Sequence, residues 1–99
     1  MSLSIDLYKN SVSEDTLFST VFFGRRKVRD FLCEIWTGRG NSYDSFNGAK
    51  MELNYRELKW MQDLVKERES PFLYDEDLKI IDKCMRMLYN SKILVVCEW

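Results

Sequence analysis

Residues 16–38 read TLFSTVFFGRRKVRDFLCEIWTG, and a change of period inside this stretch decides the fold class. Residues 16–23 are β-branched and aromatic, the composition of a strand, and Gly24 punctuates their end. From Arg25 to Thr37 the apolar positions are Val28, Phe31, Leu32, Ile35 and Trp36, which share one continuous helical face. Arg25, Arg26, Lys27, Arg29, Asp30 and Glu34 take the remaining surface, and Gly38 supplies the expected stop.

Working outward, residues 3–9 alternate Leu3, Ile5 and Leu7 with Ser4, Asp6 and Tyr8, the period of a half-buried strand. A polar turn over residues 10–15 would pair it with the strand that follows. Downstream, residues 38–50 are irregular and hold three of the four glycines. Residues 51–53 can add a short strand. Asn54 followed by Glu57 is a capping pattern, opening a helix that is expected to run to about Glu69. Its stripe is Leu58, Met61, Leu64 and Val65, flanked by Tyr55 and Trp60, and Ser70-Pro71 breaks it. Asp75, Glu76 and Asp77 open a third helix, where the macrodipole favours acidic residues. Leu78, Ile81, Cys84, Met85 and Leu88 form its stripe, and Asn90 is the expected left-handed cap. Residues 93–97 are an unbroken apolar run, read as a strand buried on both faces. The order β-β-α-(β)-α-α-β predicts a single α+β domain over residues 1–99, with three helices on one side of a small antiparallel sheet.

Composition narrows the chemistry. The 99 residues are 45% hydrophobic and 14% aromatic, with a net charge of −1, which suits a well-cored globule rather than a polyanion binder. There is no histidine, so Ser-His-Asp, Cys-His and mixed Cys/His zinc arrangements cannot form within one chain. Cys33, Cys84 and Cys97 sit inside apolar patterns and are expected to be reduced, buried thiols of a cytoplasmic protein. No apolar run has the roughly 20 residues of a membrane span, and residues 1–6 lack the pattern of a secretory leader. Neither GxGxxG nor GxxxxGK[ST] occurs, and the acidic run near Asp75 lacks the glycine and ligand spacing of an EF-hand. No cofactor, metal site or membrane partner is therefore expected.

Three features invite a binding role. Arg25, Arg26, Lys27 and Arg29 crowd a helix N-terminus, where the macrodipole opposes cations, and would suit phosphates or an acidic protein face. The loop over 38–50 mixes Arg39, Tyr43 and Phe46 with Asn, Ser and Gly, the vocabulary of binding loops. Charge is uneven: residues 24–50 hold six basic and three acidic groups, net +3, and residues 63–82 hold three basic and seven acidic, net −4. The C-terminal strand, if at a sheet edge, would offer a homodimer contact, with Trp99 beside it as the alternative plug over the core.

The stretch Phe22-Phe23-Gly24-Arg25-Arg26-Lys27-Val28-Arg29-Asp30-Phe31, followed by Tyr74-Asp75-Glu76-Asp77-Leu78, resembles paired segments of small uncharacterised bacteriophage and mobile-element proteins. The resemblance implies an inhibitor or modulator of host machinery working in the host cytoplasm. The expected function is a non-enzymatic protein-binding module, with Arg25, Arg26, Lys27, Arg29, Arg39, Tyr43 and Phe46 as contacts. The competing expectations are a nucleic-acid-binding protein using the same basic helix, and a small enzyme resting on carboxylates or a cysteine.

Overall fold

The computed structural model describes residues 3–12, 14–20, 25–70, 72 and 74–99. Strands β1 (Ser4–Asn10) and β2 (Asp15–Thr20) form a hairpin, followed by helix α1 (Arg26–Gly38). Strand β3 (Lys50–Leu53), helices α2 (Tyr55–Lys66) and α3 (Asp75–Met87), and strand β4 (Lys92–Glu98) complete the chain. This is the α+β order that the sequence predicts. The expected extension of β2 over residues 21–23, the punctuating Gly24 and the break at Pro71 lie outside the described residues.

The four strands are antiparallel in the order β2-β1-β4-β3. β4 is therefore central, with β1 and β3 on its two sides. This corrects the homodimer contact expected if the C-terminal strand lay at a sheet edge, because the backbone groups that would recruit a second copy are already paired. Ile5 opposes Cys97 and Leu7 opposes Val95 across the central pair, and Met51 opposes Val95 on the other side. These inward residues join Ile93 and Leu53 in one core with Val28, Leu32, Leu58, Met61, Val65 and Ile81 from the helices. The other face of β4 carries Val96, also buried, and half-buried Leu94. On the two edge strands, Lys50 and Asp15 form an ion pair, and together with Asn10 this holds the Asp15 carboxyl below its ordinary range.

Helix ends differ from expectation in three places. α1 runs through Gly38, and Gly40 (φ 91°) takes the left-handed position instead. α2 ends at Lys66 rather than Glu69, because Arg68 turns left-handed (φ 57°). The Arg68 N–H then donates to the Val65 carbonyl at 3.0 Å and the Glu69 N–H to the Leu64 carbonyl at 2.8 Å, the paired bonds of a Schellman stop. Asn90 is not left-handed, since Arg68 is the one non-glycine residue with positive φ among the described residues. The capping box at the start of α2 forms as expected. Asn54 accepts from the Glu57 N–H at 2.8 Å, and Glu57 accepts from the Asn54 N–H at 2.9 Å.

Candidate functional site

The basic start of α1 resolves into two kinds of residue. Arg25 precedes the helix without a side-chain cap, and no acidic residue occupies the first turn. The missing negative charge comes from α3. Asp77, 2% exposed, accepts two hydrogen bonds from the Arg25 guanidinium at 2.8 and 2.9 Å, and the guanidinium also lies 4.8 Å from the Tyr74 ring centre. Arg29 bonds to Asp30 at 3.0 Å and lies 4.9 Å over the Trp99 ring. Only Arg26 and Lys27 of this cluster are exposed.

The loop after α1 is pinned rather than open. Ser42 caps a 3-10 turn over Tyr43–Ser45, and the Trp36 indole N–H donates to the Ser42 carbonyl at 3.0 Å. Phe46 is fully buried between Trp36 and Trp99, with ring centres 5.8 and 6.1 Å away, so its expected role as a contact is corrected. An aromatic ring gains more from this core than from water, and the loop closes over it. Asn47 and Trp99 exchange two hydrogen bonds, at 3.1 and 3.2 Å, which fixes Trp99 against the core. Arg39 donates to both oxygens of Glu57 at 2.6 and 2.7 Å and to the Glu52 carbonyl at 2.7 Å, tying the end of α1 to the edge strand β3. Tyr43 is exposed, but α1 puts roughly 18 Å between its end and the exposed Arg26 and Lys27. The seven expected contacts thus do not form one patch.

A different surface presents Tyr55 and Trp60, which the sequence reading left as flanks, and Met85 and Leu88, which it put in the α3 stripe and which are only half-buried. α2 and α3 run antiparallel, with Gln62 donating to Asp82 at 2.7 Å between them. At the end where α2 starts and α3 finishes, Tyr55, Met85, Leu88 and Tyr89 line a shallow groove of about 230 Å³. On the other side of the same turns of α2, Asn54, Arg56, Glu57 and Trp60 line a second depression of about 410 Å³. Tyr55, Trp60 and Tyr89 are exposed to 59%, 47% and 91%, and Trp60 is also braced against Phe31 at 4.6 Å between ring centres. The signal in the sequence was position: Tyr55 and Trp60 fall off the buried stripe of α2, and Tyr89 follows the last buried turn of α3.

The thiols offer little chemistry. Cys33, Cys84 and Cys97 are buried and free. Burial pushes Cys84 and Cys97 up to about 12 and raises Cys33 as well, so all three stay protonated and poorly nucleophilic near neutrality. Among the described residues no three carboxylates and thiols converge as metal ligands, and no helix is long and apolar enough to cross a membrane. No protein-family model, curated protein or solved structure matches the chain.

Proposed function

We propose that the protein is a non-enzymatic protein-binding module, a cytoplasmic modulator or inhibitor of a host complex of the kind small phage proteins provide. One observation carries this reading: exposed Tyr55 and Tyr89 gather with Met85 and Leu88 in one groove between α2 and α3, and the same turns of α2 carry exposed Trp60 and Arg56 in a second depression. Aromatics, Met and Arg are the residue types enriched at the centres of protein interfaces. Exposed singly, each would be unremarkable, but grouped on rigid helices they leave apolar surface that a partner would remove from water. The contact surface on this reading is the α2–α3 end, not the start of α1, where Arg25 and Arg29 are engaged within the fold.

Affinity capture with the tagged full chain from a lysate of its native host, read by mass spectrometry, tests it. The expected result is a defined protein set that a Tyr55→Ser/Tyr89→Ser variant loses while keeping its melting temperature. Capture of nucleic acid instead, steeply weakened by salt, would replace the proposal with phosphate binding through Arg26 and Lys27. An absence of specific capture would overturn it.

A further inference from the structure

We infer that the groove formed by Tyr55, Met85, Leu88 and Tyr89 receives an acidic protein segment bearing an apolar anchor side chain. The inference rests on the protein-binding reading above and adds the chemistry of the partner. Its first support is size and lining. About 230 Å³ walled by two tyrosines, a methionine and a leucine is smaller than the roughly 300–1,000 Å³ of small-molecule pockets. It suits a projecting side chain, in the manner of a helix or extended segment laid along a groove.

The second support is charge. Residues 84–92, which supply one wall, contain Arg86 and Lys92 and no carboxylate, while Lys83 lies over the Phe18 ring of β2, 5.4 Å from its centre. Residues 54–60, which supply the other, contain Arg56 and Lys59 with Glu57 as their sole acid, and Glu57 already serves Arg39 and the capping box. Lys59 is held by Asp63 at 3.1 Å. Arg56 and Arg86 are exposed and make no ion pair among the described residues.

The contrast with the other arginines is informative. Arg25, Arg29, Arg39 and Arg68 each have a carboxylate partner inside the chain. Of the three that have none among the described residues, Arg26 sits at the start of α1, and Arg56 and Arg86 are on the helices that wall the groove. Arg56 is the second residue of α2, where the macrodipole disfavours a cation. The first turn of α2 already carries Glu57 in its capping box, so Arg56, exposed and without an ion pair among the described residues, is open to a carboxylate supplied by the partner. A bound acidic segment would put its apolar side chain between the tyrosines and its carboxylates toward Arg86 on α3. Where the segment continues past the groove, it would meet Arg56, which lines the neighbouring depression on α2.

Two labelled 15-residue peptides with identical leucine and phenylalanine positions test this, one with glutamates and one with lysines elsewhere. Binding to the full chain is read by fluorescence anisotropy and by backbone amide shifts. The glutamate peptide is expected to bind at least ~10-fold more tightly than the lysine peptide and to shift amides of residues 54–60 and 84–90. Arg56→Glu/Arg86→Glu is expected to reverse the preference, and Tyr89→Ser to weaken both peptides without changing the melting temperature. Equal binding of the two peptides, shifts confined to α1 or the sheet, or no binding at millimolar peptide overturns the inference. So does a concentration-dependent dimer abolished by Arg86→Glu, which would assign the groove to a second copy. In the lysate capture, a partner retained by Tyr89→Ser and Arg86→Glu overturns the groove alone, whereas no partner at all overturns the protein-binding reading.

Discussion

Arg25 and Asp77 lie 52 positions apart, and Asp77 is the most buried charged residue among those described. Removing one member of a buried pair strands the other, which costs about 3–5 kcal/mol. Arg25 keeps 24% of its side chain in water, which favours the lower figure. Asp77→Ala is expected to lower stability by about 3 kcal/mol in urea unfolding, and Arg25→Met/Asp77→Leu to recover most of it. The thiols give a second expectation at this scale. An unfolded chain releases the Cys84 proton near 9, while the folded chain holds it to about 12. Between those values the native state binds more protons, so stability falls as pH rises, by about 1.4 kcal/mol per pH unit for each such thiol. Urea unfolding across pH 9–11 should show a slope shallower by that amount in Cys84→Ala, and parallel curves would refute the burial argument. The pairing of Asp77 was not legible in the sequence. Its place in an acidic first turn already had a sufficient local explanation, and only the packing of α3 against the start of α1 reveals the second one.

Periodicity made the elements legible, because alternation and the 3.6-residue stripe follow directly from which faces are buried. The ends of elements were harder. Arg68 occupies a left-handed position that sequence reading reserves for glycine or asparagine, so α2 was expected three residues too long. Arg68→Gly should raise stability by about 0.5 kcal/mol, since relief of the strained conformation exceeds the loss of an exposed bridge to Asp75 and the added freedom of the unfolded chain. The loop between α1 and β3 misled in another way. Phe46 and Tyr43 stand three residues apart among the same small polar neighbours, yet one is fully buried and the other 58% exposed. No local pattern separates them; the choice is made by Trp36 and Trp99. Phe46→Ala is expected to cost about 3–4 kcal/mol and Tyr43→Ala less than about 0.5 kcal/mol, as read from denaturant midpoints. Equal costs would mean that the loop does not close as described.

On the scale of the whole molecule, the pairing of β1 with β4 brings the two ends of the chain to the centre of the sheet. A period of two identifies a strand but not its partner, so the sequence left open whether β4 lay at an edge. The same limit hid the site. The charge asymmetry between residues 24–50 and 63–82 suggested an exposed basic flank, but Arg25 reaches across to Asp77 and part of that charge is neutralised within the fold. What remains for the proposed partner is the end of the α2–α3 pair, where exposed Tyr55 and Tyr89 flank Met85 and Leu88, with Trp60 and Arg56 in a separate depression on α2. The most direct measurement is amide hydrogen exchange on the captured complex compared with the free chain. The account expects new protection over residues 54–60 and 84–90, with residues 26–31 and 39–46 unchanged. Protection confined to the start of α1 and the following loop would contradict it.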